Sequence, residues 1–225
     1  MKTKRNKELL KEKYGTEQVF VVPYHFTQEI PNGLSYGSDV SDIDLDKGKY
    51  LYRYDVEGDM SFIQIIPTVV ISDASEEKYF VTRRIGGEER LKDKLSIIIG
   101  GHINPPDGYR TRMLFNCMNR EIGEETNLYD INRNDSKMVD IKSAYPEWYV
   151  RDLTSNTPDH LGYIYRLKLS NNGVRKLKVK ETNNLEGMWM TKDQLMNNYA
   201  KFESWGQMII AEILVDNVSK KKDVD

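Results

Sequence analysis

Three glutamates offer the clearest chemistry in this sequence: Glu121, Glu124 and Glu125. On a helix, positions i, i+3 and i+4 share one face, so these carboxylates would stand together. Carboxylates that close repel one another unless a proton or a cation lies between them. Oxygen ligands at this density suit Mg²⁺ or Mn²⁺. The neighbouring apolar residues argue against a solvated acidic face. At about 100° per residue, Leu114, Phe115, Met118 and Ile122 make one stripe. Glu125 projects between Leu114 and Met118, inside the stripe. Glu121 lies roughly 20° outside Leu114 and Glu124 roughly 80° outside it, on the same side. Acids in or beside a buried stripe need a reason, and a metal supplies one.

Other residue types suggest phosphate chemistry. Arg83, Arg84 and Arg90 surround the end of an apolar segment, and guanidinium pairs bidentately with phosphate. Gly100 and Gly101 follow the run Ile97-Ile98-Ile99 and let backbone approach a ligand closely. Tyr145, Trp148 and Tyr149 could stack on a base. His102 reads as structural and stays outside the metal set.

Residues 120–128, Arg-Glu-Ile-Gly-Glu-Glu-Thr-Asn-Leu, resemble the core of the Nudix box. That pattern is Gly, five residues, Glu, seven residues, then Arg-Glu-aliphatic-any-Glu-Glu-any-Gly-aliphatic. Two departures stand out. Asn127 replaces a Gly, and Asn is the next best residue for a left-handed helix cap, so Asn127→Gly should hold or raise stability. The loop from Gly101 to Arg120 is also five residues longer than the pattern, so either Asp107 or Arg112 falls at the first Glu position, depending on the direction of counting. The order strand, Arg-Arg, loop, Lys-Leu, Gly-Gly over residues 62–189 is similar to MutT-type Nudix proteins. Gly86-Gly87-Glu88-Glu89-Arg90-Leu91 and Gly100-Gly101-His102-Ile103-Asn104 resemble one subgroup of them.

The resemblance implies hydrolysis of a diphosphate linkage in a nucleoside diphosphate derivative, with Mg²⁺ or Mn²⁺. It implies metal ligation by Glu121, Glu124, Glu125 and the Gly101 carbonyl. Arg120 would orient a glutamate of the box. Glu181 or Glu186, before Trp189, would serve as base or further ligand. Arg83, Arg84, Arg90 and Trp148 would bind substrate. The alternative is a Nudix-fold module that binds a nucleotide, or regulates, without cleaving. An isomerase of isopentenyl diphosphate shares the fold but needs a catalytic Cys and a set of metal-binding His. Cys117 within the helix and the scattered His25, His102 and His160 do not supply them.

These residues must be positioned by a fold. The implied one is α/β, the Nudix fold: a mixed β-sheet sandwiched between helices (α/β/α). Residues 1–60 would form an N-terminal extension and residues 61–225 the Nudix hydrolase domain with its C-terminal helices. Residues 4–14 read as a polar helix stopped by Gly15. Residues 18–23, 50–54, 62–72, 78–83, 138–145 and 161–169 read as strands. Pro67 suggests a bulge or a sheet edge. Pro105-Pro106-Asp107-Gly108 is a turn, and the main helix should start between Gly108 and Thr111. Residues 146–158 read as a polar, aromatic rim around substrate. Thr191 should cap a short helix, and residues 203–218 an amphipathic one. The first stretch shows no catalytic signal.

Composition narrows the partners. Net charge is −2 over 225 residues, which speaks against binding a long nucleic acid. No apolar run approaches a membrane span, and residues 1–5 lead into no signal segment. A single cysteine excludes an internal disulfide. A cytoplasmic location is the default expectation. The expected partner is a small nucleotide or diphosphate, with homodimer formation left open.

Overall fold

The centre of the architecture is a long apolar strand that the sequence announces by its Ile and Val content. In the computed structural model, which describes residues 4–40, 43–86, 93–128, 146–180 and 182–222, it runs over Phe62–Asp73 as β4 and is buried along its length except at its two ends. Before it come α1 (Lys4–Tyr14), β1 (Gln18–Pro23), β2 (Gly33–Tyr36), β3 (Lys49–Tyr52) and the short α2 (Arg53–Val56). After it come β5 (Lys78–Arg84), β6 (Leu95–Ser96), β7 (Ile98–Gly100) and α3 (Thr111–Glu125). Then follow β8 (Trp148–Arg151), β9 (His160–Leu169), α4 (Asn171–Lys176), β10 (Leu185–Thr191), α5 (Lys192–Asn197) and α6 (Ser204–Lys222).

The chain divides into two compact units. The first holds residues 1–68, 100–119 and 144–164, the second residues 69–99, 120–143 and 165–225. In the first, β1 pairs antiparallel with β3 and with β4, where Val21 faces Gln64. The order continues β4-β9-β8-β2, with Trp148 opposite Ile164 and Tyr149 opposite Tyr163. Val19, Val21 and Val56 form a buried cluster there, with Leu51 and Phe62 packed on it. In the second unit the order is β10-β5-β4, and all seven residues of β10 pair with β5. Its core gathers Val69, Ile71, Phe80, Ile99, Ile122, Leu128, Leu167, Leu169 and Leu177.

Local sequence accounts for most element ends. The α1 helix stops at Gly15, whose φ of 55° lets its N–H reach the Lys11 carbonyl at 2.8 Å. Thr191 caps α5 in a capping box with Gln194, as its position suggests. The β3 strand ends two residues earlier than expected. The Arg53 N–H donates to the Glu17 carbonyl, and its side chain reaches Glu17 and Glu57, so the chain turns into α2. β1 pairs with β4 at Phe62–Gln64, before Pro67, and β9 and β7 are further neighbours of β4. Residues 146–158 are not all rim, since Trp148–Arg151 is the buried strand β8. The strand expected over residues 138–145 lies outside the described residues, as does Tyr145.

Candidate functional site

The end of α3 carries the glutamates. Of the proposed apolar stripe, Leu114, Met118 and Ile122 are buried, while Phe115 is 42% exposed and points elsewhere. Met113 and Cys117 take its place in the buried face. This rotates the stripe toward Cys117, on the side of Glu121 and Glu124. Arg120 Nη1 donates to Glu121 Oε1 at 2.7 Å and to Glu124 Oε2 at 3.3 Å. The Glu121 side chain is mostly enclosed and the Glu124 side chain half exposed. Glu125 is partly buried, and its carbonyl accepts from the Lys180 N–H at 2.7 Å.

Asn127 follows directly and does not do what its position in the motif implies. Outside glycine, the described residues with positive φ are Glu76, Asp93 and Arg110. Asn127 instead behaves as a clasp. Its Oδ1 accepts from the Lys178 N–H at 2.8 Å, and its Nδ2 donates to the Lys176 carbonyl at 3.0 Å. Beside it, Thr126 and Val179 form an antiparallel bridge. The end of α3 is thus stitched to the segment before β10.

In the same unit, Arg83 faces Glu186 across the β5–β10 pair, Nη2 to Oε2 at 2.5 Å, both about half exposed. Arg84 lies 3.9 Å from Glu203. Arg90 and Glu181 lie outside the described residues.

In the first unit, Gly101 presents its carbonyl to the Cys117 thiol at 3.5 Å, and the same thiol lies 3.4 Å from the His102 carbonyl. Cys117 is fully buried. The adjacent Gly100 has a packing reason: a Cβ there would meet the Pro67 carbonyl oxygen at 2.1 Å and Thr68 Cα at 2.7 Å. Asp107 is buried and accepts from the Asn104 N–H, closing the short turn Pro105–Asp107 that takes up part of the longer loop. Trp148 has no exposed surface, so the expectation that it stacks on a base is corrected: a ring inside the sheet packing offers no face to a ligand.

A second constellation in the first unit was not foreseen. Glu57, His102 and His160 bring one ligand atom each within 4.8 Å of one another. The two imidazoles meet Nε2 to Nε2 at 3.1 Å. His160 Nδ1 pairs with Asp159 Oδ1 at 3.1 Å, and Asp159 Oδ2 accepts from the Gly58 N–H and the Gln64 amide. Burial alone would raise the Asp159 pKa. The contacts from His160, Gly58 and Gln64 outweigh it and hold the carboxyl below its ordinary value. Glu57 is braced by Arg53 Nε at 3.1 Å and the Tyr14 hydroxyl at 3.2 Å. Burial would lower the Arg53 pKa, but Glu57 and Glu17 more than offset it and raise the pKa. His102 is therefore not isolated, and the three histidines are not all scattered. The adjacent Asp159-His160 pair was the one local signal. Glu57 offered none.

The fold defined by this sheet and its helices is Nudix-like. The solved structure of Tm1382, a candidate Nudix hydrolase, matches with a TM-score of 0.66 at 23% identity, over 88% of this chain and 98% of that one. The mixed sheet with helices on both sides is that α/β fold. DR0079 from Deinococcus radiodurans aligns over 67% of this chain and 82% of its own at 15% identity, with a TM-score of 0.43. No protein-family model matches the chain. Protein YmaB of Bacillus subtilis is 32% identical over 164 residues, 70% of this chain and 74% of its own. The chain belongs to the YmaB family. Among the described residues, no helix is long and apolar enough to cross a membrane.

Proposed function

We propose that this chain is a divalent-metal-dependent hydrolase of the Nudix type, cleaving the diphosphate linkage of a nucleoside diphosphate derivative. The observation that carries the reading is the end of α3. There Glu121, Glu124 and Glu125 share a helix end, and Arg120 ties down two of them. The donor set is all oxygen, which fits Mg²⁺ or Mn²⁺. A bound cation of this kind lowers the pKa of water and offsets charge on phosphate oxygens. Glu121, Glu124 and Glu125 would hold it, and Arg120 would keep Glu121 and Glu124 in register. Arg83 and Arg84 would grip phosphate by exchanging Glu186 and Glu203 for substrate oxygens. Released from Arg83, Glu186 would be free to take the proton of the attacking water. Glu181 is the other candidate for that role. A nucleoside triphosphate, a nucleotide sugar and ADP-ribose are the substrates to try first.

The test is a panel of diphosphate compounds with Mg²⁺, read by phosphate release and product mass. Glu124→Gln and Glu125→Gln should each lower turnover by at least about 100-fold, the upper end of what loss of an outer-shell partner costs. Their melting temperatures should stay near that of the parent. Unchanged turnover in both variants refutes the assignment. Binding without turnover across the panel favours a nucleotide-binding module instead.

A further inference from the structure

We propose that Glu57, His102 and His160 form a binding site for a divalent d-block cation of the Zn²⁺ class, built from other residues than the carboxylates of α3. Two neutral imidazoles and one carboxylate are a borderline-soft set, which Mg²⁺ does not prefer and Zn²⁺ does. The spacing agrees. Two nitrogens at the usual Zn–N length and tetrahedral angle lie about 3.3 Å apart, and the two Nε2 atoms are 3.1 Å apart. In the metal-free protein the same distance suits one Nε2–H donating to the other Nε2.

The surroundings are arranged as a metal's outer shell would be. Asp159 Oδ1 accepts a hydrogen bond from the His160 Nδ1–H, the tautomer that keeps the Nε2 lone pair toward His102. Asp159 is itself fixed by Gly58 and Gln64. Arg53 and Tyr14 each occupy one side of a Glu57 oxygen. A carboxylate has about four lone-pair sites, so capacity for a cation remains. Glu57 and His102 are partly exposed and His160 is buried. Three protein ligands leave one tetrahedral position for water or a substrate oxygen, the ligand count of catalytic rather than structural zinc sites.

The test uses the full chain, stripped with a chelator and then held in excess Mg²⁺ so that oxygen sites are filled. Titration with Co²⁺ should give one equivalent per chain, with the visible absorption of low-coordinate cobalt. Zn²⁺ should displace it. His102→Asn and His160→Asn should weaken binding by about 100-fold, and Glu57→Gln by about 10-fold or more. Glu124→Gln should leave the stoichiometry and the spectrum unchanged. Should His160→Asn fail to fold, His102→Asn decides, together with NMR of the parent protein, where Co²⁺ should broaden or shift the His102 and His160 ring signals. Failure of the parent to bind Co²⁺ in excess Mg²⁺, or an unaltered spectrum in His102→Asn, overturns the proposal. The hydrolase reading is scored apart from this, by Mg²⁺-dependent turnover in the Glu124 and Glu125 variants.

Discussion

Asn127 shows how one residue can keep its place in a motif and change its work. The motif calls for Gly, whose use at a helix end is the left-handed conformation. Asn127 is not in that conformation, and its amide spans the Lys176 carbonyl and the Lys178 N–H. Gly keeps the backbone bond from the Asn127 N–H to Lys178 but removes both side-chain bonds. Asn127→Gly should therefore lower stability, by about 1–2 kcal/mol for two partly exposed hydrogen bonds. Denaturant or thermal melts measure this, and a melting temperature that holds or rises would restore the left-handed cap. The residue types in the motif were legible from sequence, but the partners 49 and 51 positions away were not. The same limit hid the Glu57, His102 and His160 trio: His102 and His160 are 58 positions apart, and the start of β9 and the segment after β7 bring them together.

At the scale of elements, patterns local to one segment survived folding. The α1 helix, β1, β4, β5 and β9 lie where alternation, apolar density and stops place them, because neighbouring residues alone create those signals. What failed was the surface assigned to a segment. Trp148 lies in a polar, turn-rich stretch, yet all four residues of β8 are buried, and β9 and β2 pair with its two edges. The β4–β5 hairpin adds a device that is readable only in three dimensions. The Asp73 carboxylate accepts from the N–H groups of Glu77 and Lys78 and from the Ser75 hydroxyl. Burial pushes its pKa up, but these bonds more than offset that and leave it below its ordinary value. A lowered folded-state pKa means that the stabilisation is complete above the unfolded value. It then fades as pH falls through the folded one. The parent protein should lose this contribution on acidification, and Asp73→Asn should lose less over the same range. At neutral pH, Asp73→Asn should be less stable by about 1 kcal/mol. Parallel acid-side curves for the two proteins would show that Asp73 does not couple the turn to pH.

On the scale of the whole molecule, the chain has the Nudix-like fold and YmaB family membership, and both are silent on where water attacks. That question can be settled by following atoms. If the α3 carboxylates hold a divalent cation, the nucleophile is a water made more acidic beside phosphorus, and its oxygen must end in a phosphate product. In ¹⁸O-labelled water the label should appear on a phosphate group, with none on a sugar carbon, as mass spectrometry of both products reads directly. Chelation with EDTA should stop the reaction and excess Mg²⁺ should restore it, since oxygen-only ligands accept Mg²⁺. Restoration by Zn²⁺ but not by Mg²⁺ would transfer the chemistry to Glu57, His102 and His160, whose ligand set has that preference. Label on a sugar carbon would mean cleavage of a C–O bond, and the role of Arg83 and Arg84 as phosphate clamps on the attacked group would fall with it.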